Sequence, residues 1–202
     1  MRRVIVYIDG FNLYHAIHEL RRPWLKWLDI RAMAESLLRK DEALKSVKYF
    51  SAYATWMPAR YARHRDYVAA IVSRGVIAHM AQFKEKPRKC LSCGAKWIGH
   101  EEKETDVQIA VHMVADALKS EAERLIAVTA DTDLAPAIRM IAASVPDCEV
   151  FVAAPPGRFG KCRALKPRLE LTSGRLEKCL LPETLNAAGR IIQRPQSYTP
   201  PF

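Results

Sequence analysis

Signals for membrane insertion and export are missing from this sequence. No apolar stretch approaches the roughly 20 residues that a transmembrane helix requires. The chain opens with Met1-Arg2-Arg3 and enters a short β-like run at once, without the longer apolar region and small-residue cleavage site of a signal peptide. The odd count of five cysteines argues against a disulfide framework and agrees with a reducing compartment. We therefore expect a cytoplasmic protein with no membrane partner.

Several familiar catalytic signatures are also absent. The sequence contains no G-x-G-x-x-G, no P-loop pattern and no Ser-His-Asp order. It has no internal repeat and no low-complexity stretch. These absences disfavour enzymes that depend on a nucleotide cofactor.

Basic residues are in clear excess over acidic ones. Within 202 residues the formal net charge is +10 and the sequence pI is about 9.5. Such a balance favours a polyanionic partner such as RNA or DNA, although many soluble proteins are basic without a specific reason. Half of the residues are hydrophobic, which is enough for the full core of one domain.

Apolar runs and helical periodicity alternate along the chain. The apolar runs predict five strands, at residues 4–8, 47–53, 76–83, 125–129 and 149–153. The periodic segments between them predict helices that begin near Leu13, after Asp29, at Pro58, after an N-cap at Thr105, and after a cap at Thr132 or Asp133. Alternation of this kind predicts an α/β fold of three layers, with a central parallel sheet and helices on both faces.

Two segments depart from this rhythm. Residues 84–99 are basic and hold Pro87 and two cysteines, so we expect a small Cys-containing insert there. After a short helix within 174–181, three prolines near the C-terminus predict a tail over 182–202. The expected organisation is therefore one domain over 1–181 followed by that tail.

Four aspartates follow strand ends or open helices. Asp9 ends the first apolar run, Asp131 and Asp133 follow the fourth, and Asp106 lies in the first turn of the long helix. Because ligands gather at the carboxyl ends of parallel strands, these carboxylates are expected to converge, and their repulsion calls for a cation such as Mg²⁺. Asp106 and Asp133 also have a purely structural explanation as helix caps or first-turn acids. Carboxylate-held Mg²⁺ is typical of phosphodiester cleavage, which points to a nuclease.

These segments resemble a known family. Val4 to Leu13 (VIVYIDGFNL), Glu101 to Val107 (EEKETDV) and Val128 to Leu134 (VTADTDL) are similar to the three acidic motifs of NYN domains, a branch of the PIN-like nuclease superfamily. The resemblance covers Val4 to about Ala153. It implies a Rossmann-like PIN core and a ribonuclease dependent on Mg²⁺ or Mn²⁺, with endonucleolytic cleavage of RNA.

The resemblance also implies roles for individual residues. Four aspartates would ligate the metal and act in catalysis, and Asn12 would orient groups in the first loop; the metal ligands are Asp9, Asp106, Asp131 and Asp133. Thr129 and Thr132 would offer supporting hydroxyls, and Lys103 could meet a phosphate.

Two other functions stay open. One is a non-catalytic RNA-binding or regulatory module on the same fold. The other is a phosphohydrolase for small metabolites, which is disfavoured because Phe11 stands where such enzymes carry a second aspartate.

Cys90-Leu91-Ser92-Cys93-Gly94 forms a turn like that of a zinc knuckle. Two thiolates at this spacing can hold half of a tetrahedral structural zinc site. Two further ligands would have to come from elsewhere, and the candidates are His79, His100, Cys148, Cys162 and Cys179. The alternatives are ordinary loop thiols, or a turn that has lost its metal.

Basic residues cluster in three places that could track phosphates. We expect RNA contacts from the helix after strand two, from the cysteine segment and from the segment after strand five, namely from Arg60, Arg63, Lys84, Lys86, Arg158, Lys161 and Arg163. The plain alternative is that these charges only solvate exposed surfaces. Oligomerisation is left open.

Overall fold

The computed structural model describes residues 1–201. Most of the strands form one sheet, and their bounds are β1 Arg2–Asp9, β2 Glu42–Ala52, β3 Val76–Lys89, β4 Lys96–Lys103, β5 Arg124–Val128, β6 Glu149–Ala154 and β7 Arg168–Glu170. The sheet order is β4-β3-β2-β1-β5-β6-β7, and every pair is parallel except β3 with β4. The predicted α/β fold with a central, mostly parallel sheet is confirmed.

Helices cover both faces of this sheet. Their bounds are α1 Gly10–Glu19, α2 Ile30–Glu35, α3 Pro58–Ser73, α4 Thr105–Leu118, α5 Ala135–Ser144 and α6 Ser173–Glu177. No helix within residues 1–201 is both long and apolar enough to cross a membrane.

Strand β1 explains how one sheet serves two cores. Val4, Val6 and Ile8 pack in one core cluster, which also contains residues of α1, α2 and α3. Ile5 and Tyr7 pack in a second cluster with residues of α4 and α5. Successive side chains of a strand point to opposite faces, so a strand buried on both sides must be apolar at every position.

The amino ends of four parallel strands share a charged cluster. Arg124 opens β5 and is 3% exposed, and its Nη1 donates to both carboxylate oxygens of Glu42 at 3.1 and 2.8 Å. Glu149, at the start of β6, accepts from Arg39 at 2.9 and 2.7 Å and from Arg2 at 3.3 Å. This cluster lies at the edge of the sheet opposite the aspartates and serves the fold.

The insert and the tail differ from expectation. Strand β3 continues past 83 to Lys89 and forms an antiparallel hairpin with β4, so the basic segment is a regular extension of the sheet. The segment from 182 forms a second hairpin, of β8 (Thr184–Ala187) with β9 (Arg190–Gln193). Ala187 and Ile192 of this hairpin are buried against the core, which is why it does not behave as a loose tail.

Three local predictions were wrong. Thr105 is the first helical residue of α4, and the N-cap position belongs to Glu104, which has a left-handed φ of 81° and makes no side-chain cap. The cap after β5 is Asp131, because its carboxylate accepts from the amide of Asp133. In addition, α1 begins at Gly10, earlier than the expected start near Leu13.

Candidate active site

Asp9 ends β1 and is only 4% exposed. Its Oδ1 accepts from the amide of Asn12 at 2.9 Å, which makes Asp9 the N-cap of α1. Its Oδ2 accepts from the hydroxyl of Thr129 at 2.9 Å. A buried carboxylate needs such partners, and here both oxygens have one.

Gly10 lets the chain turn from strand to helix beside this carboxylate. A Cβ atom at this position would lie 2.7 Å from the carbonyl oxygen of Phe50 and 2.7 Å from the Tyr49 ring. The glycine after Asp9 is therefore required by the close approach of β2.

Asn12 and Thr129 join the first turn of α1 to the loop after β5. Asn12 Oδ1 accepts from the amide of Ala130 at 3.1 Å, and Thr129 Oγ1 accepts from the amide of Asp131 at 3.0 Å. Together with the bond from Thr129 to Asp9, these contacts fix the position of Asp131 relative to Asp9. Both residues thus link the segments that carry Asp9 and Asp131, and the catalytic role of Asn12 and the supporting role of Thr129 stay predictions.

Asp131 and Asp133 lie on the short 3-10 helix that follows β5. Asp131 Oδ1 accepts from the amide of Asp133 at 2.9 Å. Asp133 and Thr132 are exposed, and within residues 1–201 Thr132 makes no side-chain hydrogen bond to the aspartates. The supporting hydroxyl expected from Thr132 stays a prediction.

Asp106 reaches the site from the first turn of α4, and Glu102 accompanies it. Glu102 accepts from the amide of Thr105 at 3.0 Å and also from its hydroxyl. Glu102 was missed from the sequence, although it lies inside the second acidic motif. The strand that presents it, β4, was not predicted, so its direction toward the aspartates could not be foreseen.

The carboxylates repel one another. Burial raises the pKa of Asp9 to about 6 against the hydrogen bonds from Asn12 and Thr129, and the charges of Asp131 and Glu102 add to the rise. Burial also raises the pKa of Asp106 to about 6, followed by the charges of Asp9, Asp131, Glu102 and Asp133. Five carboxylates from three separate segments therefore share one electrostatic site.

We expect Asp9→Asn to stabilise the fold at neutral pH. The carboxyl of Asp9 binds its proton more tightly in the folded state, so folding loses stability as the pH rises from about 4 to 6 and bears the full cost above that range. Two pKa units correspond to a gain on the order of 1–3 kcal/mol for the variant. Asparagine keeps the Oδ1 acceptor of the α1 cap.

Urea unfolding at pH 7.5 and at pH 4 measures this effect. The gain should be present at pH 7.5 and nearly absent at pH 4, with Asp147→Asn, an exposed acid at the other end of the sheet, as the control. Equal stability of Asp9→Asn and the unchanged protein at both pH values would contradict the repulsion.

The side chains do not form a closed ligand shell. No group of three or more His, Cys, Asp and Glu side chains in residues 1–201 is arranged so that it could hold a metal ion. Both oxygens of Asp9 and one of Asp131 accept hydrogen bonds from the protein instead. The assignment of Asp9, Asp106, Asp131 and Asp133 as metal ligands stays a prediction.

The cysteines lie at the tip of the β3–β4 hairpin. The amide of Cys90 donates to Ala95 at 2.8 Å, and Gly94 has a left-handed φ of 71°. A hydrogen bond with Ser92 lowers the pKa of the Cys90 thiol to about 6. Cys148, Cys162 and Cys179 are buried elsewhere, and His100 stacks on Trp56 with ring centroids 3.6 Å apart. Zinc at Cys90 and Cys93 also stays a prediction.

The basic residues divide into paired and unpaired groups. Lys86 and Lys103 both pair with Glu101, at 3.1 and 3.2 Å, and Arg158 pairs with Glu19. Five of the seven basic residues that were predicted to contact RNA form no salt bridge within residues 1–201; they are Arg60, Arg63, Lys84, Lys161 and Arg163. These five exposed cations are the ones most available to phosphates.

A cavity of about 290 Å³ lies beside the acidic site. Gly10 and Phe11 line it from the first turn of α1, and Ala52 and Ala54 line it from the end of β2 and just beyond it. Seven of its lining side chains are aromatic residues of the Phe, Tyr and Trp types. Sequence reasoning missed this cavity, because its lining comes from segments that are far apart along the chain.

The comparisons with known proteins agree with this geometry. A family model of the NYN domain matches residues 3–166. The chain belongs to the NYN domain family. NYN domains are part of the PIN-like nuclease superfamily and are in general ribonuclease-like. The resemblance seen in the three acidic motifs is thereby confirmed.

Two individual proteins are similar to this NYN domain. A Pseudomonas putida protein named 6-hydroxy-3-succinoylpyridine 3-monooxygenase HspA is 28% identical, over 97% of this chain and 75% of that protein. The crystal structure of a Vibrio parahaemolyticus protein of unknown function has a TM-score of 0.52 at 18% identity, over 89% of this chain and 96% of that chain. The second likeness supports the fold alone.

The acidic site of this NYN domain has the donor chemistry of a Mg²⁺ or Mn²⁺ site. PIN-like nucleases typically use these ions. Both are hard cations that prefer carboxylate oxygens, and a divalent charge offsets the repulsion that raises the pKa of Asp9 and Asp106. The residues present therefore fit such a cation in kind and charge.

Proposed function

We propose that this NYN domain is a metal-dependent ribonuclease that cleaves RNA internally at the acidic site. One observation carries the proposal: carboxylates at the end of β1, after β5 and in the first turn of α4 share a single edge of the sheet, where burial first and then the neighbouring charges raise the pKa of Asp9 and of Asp106. A fold gains nothing from such repulsion, as the cost to stability at neutral pH indicates. Carboxylates whose pKa is shifted in this way are characteristic of functional sites.

The cation would be held by Asp9, Asp106, Asp131 and Asp133. When bound, Mg²⁺ or Mn²⁺ polarises a phosphate oxygen and lowers the pKa of a coordinated water. Glu102 lies outside this set and would add negative charge around it.

The protein's own side chains would position the aspartates, accept a proton and bind the RNA strand. Asn12 and Thr129 would keep Asp9 and Asp131 in fixed positions through the bonds that join their loops. An ionised aspartate of the site would accept a proton from the water that attacks phosphorus, while the bond from phosphorus to the ribose oxygen breaks and that oxygen takes up a proton from solvent. Arg60, Arg63 and Lys161, which form no salt bridge within residues 1–201, would hold the RNA strand by its phosphates. Such contacts position a strand without reading its sequence.

Cleavage of end-labelled RNA by the purified protein tests this function. We expect internal fragments with Mg²⁺ or Mn²⁺, none with a chelator, and recovery when the ion is returned. RNA affinity should fall steeply as salt is raised, because phosphate contacts release counterions. Binding without cleavage across several single-stranded and structured RNAs would favour the alternative of a non-catalytic RNA-binding module.

The Pseudomonas relative suggests a second candidate, oxygenation of a small heteroaromatic acid. The aromatic cavity beside the acidic site favours it, because the name of that relative describes a pyridine compound as the substrate. Incubation with 6-hydroxy-3-succinoylpyridine in air, with a reduced nicotinamide as electron donor, tests it by chromatography. Consumption of the compound by the unchanged protein and also by Asp9→Asn would support this candidate. If the unchanged protein does not consume the compound, the candidate is removed.

A further inference from the structure

We infer that the cavity beside the acidic site binds a planar aromatic ring that carries an anionic group. Two sources share this chemistry: a nucleotide unit of an RNA strand, and a free aromatic acid. For the nucleotide source the inference rests on the proposed function, since the ring would belong to the strand that is cleaved.

The size and position of the cavity suit one ring system. Its volume of about 290 Å³ is enough for one or two fused rings and too small for a folded peptide. Gly10 and Phe11, which directly follow Asp9, form part of its wall. A ring bound there would lie next to the acidic site, where its attached group could reach the carboxylate edge.

Seven Phe, Tyr and Trp side chains contribute to the wall. Tyr49 meets Tyr67 edge to face, with ring centroids 6.3 Å apart, and Trp56 meets Phe83 in the same way at 4.7 Å. Tyr14, which is 44% exposed, lines the cavity as well. Aromatic faces and edges gain most from another flat ring, whereas a strongly hydrated polar ligand would lose its water without replacement.

The cavity also contains polar side chains, including Ser51 and the pair of Tyr49 and His64. Tyr49 and His64 lie within hydrogen-bond distance, with the Tyr49 hydroxyl 3.3 Å from His64 Nε2. Burial lowers the pKa of His64 to about 4, so its ring is neutral at physiological pH. Neutral imidazole has one donor and one acceptor, which suits recognition of a heteroatom on an aromatic ring.

The charged groups around the cavity are all cationic. Lys26, Arg60 and Arg63 line it, and no aspartate or glutamate does. None of the three forms a salt bridge within residues 1–201. Lys26 Nζ lies 5.0 Å from the Tyr14 ring centroid and 5.9 Å from that of Tyr198, so a cation is held directly over the aromatic wall. Cations without a carboxylate partner at one rim are suited to a carboxylate or phosphate of a ligand.

Calorimetric titration of the full chain in the presence of a chelator tests the inference without any catalysis. The probes are AMP, UMP and nicotinate, which have both a ring and an anion. Adenosine lacks the anion, cyclohexanecarboxylate lacks the planar ring, and inorganic phosphate lacks the ring altogether. We expect each full probe to bind at least tenfold more tightly than the control that lacks one feature.

Two variants place the binding in this cavity. Arg63→Ala should weaken the full probes about tenfold, as expected when an anion loses a charge-assisted partner, and the matched control Arg65→Ala on the same helix should not, since Arg65 does not line the cavity. Ala54→Phe should fill the cavity and abolish binding, with its fold checked by circular dichroism and thermal melting. Arg63 is exposed, so its substitution keeps the test valid even if Ala54→Phe misfolds.

The outcomes separate the sources and the proposals. Tighter binding of the nucleotides identifies a unit of RNA, and tighter binding of nicotinate identifies a free acid. No binding of any full probe at millimolar concentration, or binding that Arg63→Ala leaves unchanged, overturns the inference. If the probes bind while RNA is never cleaved, the ribonuclease proposal alone fails; if RNA is cleaved through Asp9 while no probe binds, only the cavity inference fails.

Discussion

Asp9→Asn is expected to slow RNA cleavage by about 10²–10³-fold with little change in RNA affinity, the range found when one preorganised electrostatic group is removed from a catalytic site. Of the four aspartates at the site, Asp9 is the most deeply buried, and its bond with Thr129 connects the end of β1 to the loop after β5. Asparagine preserves its shape and its acceptor but removes the charge. The single-turnover cleavage rate at pH 7.5 in Mn²⁺ measures the effect, beside the RNA dissociation constant.

The same carboxylates should set the pH dependence of cleavage. Because the pKa of Asp9 and of Asp106 is raised to about 6, the ionised forms are lost as the pH falls below that value. At subsaturating Mn²⁺, where protons compete with the ion for these carboxylates, the rate should therefore drop about tenfold for each pH unit below 6, and more steeply if both groups must be ionised. The profile of wild type is compared with that of Asp147→Asn, the exposed control, which should match it.

Further aspartate variants show whether the site acts as a unit. Asp106→Asn and Asp131→Asn should each cause a loss similar to that of Asp9→Asn, and the double variants should lose little more. If Asp9→Asn and Asp131→Asn cleave RNA as fast as the unchanged protein, the proposed mechanism is wrong and the RNA-binding alternative takes its place.

The centre of the fold was predictable because its strands are buried on both faces. Val4 to Ile8 and Leu125 to Val128 are apolar at every position, and such runs leave few structural alternatives. Parallel pairing of β1 with β5 then brings Ile8 opposite Val128, so the residues that follow, Asp9 and Thr129, meet at the carboxyl edge. The convergence of the acidic motifs follows from this register.

The periphery was not predictable for the opposite reason. Lys84 to Lys89 carries alternating charges and Pro87, a pattern that resembles a loop, and its strand character depends on cross-strand partners such as Glu101. The aromatic cavity likewise takes its walls from β2, α3, β3 and Tyr198, which no local pattern connects. Such features depend on tertiary contacts. The helix cap after β5 was assigned to Thr132 or Asp133 instead of Asp131, because several neighbouring residues could serve as caps.

Glu42→Ala is expected to destabilise the fold by about 3–5 kcal/mol, the cost of breaking a buried ion pair. It would leave Arg124, which is 3% exposed, without the carboxylate that accepts from its Nη1 at 3.1 and 2.8 Å. Glu149 could compensate only in part, since its Oε1 lies 3.6 Å from Arg124 Nε and already accepts from Arg39. Urea unfolding measures the loss. The matched control is Glu123→Ala at the exposed pair with Arg3, which should cost far less, because solvent screens an exposed ion pair. The double variant Glu42→Leu with Arg124→Met should recover most of the stability, because the penalty comes from an unpaired buried charge. If Glu42→Ala is as stable as the wild type, the ion pair is solvated and the expectation is wrong.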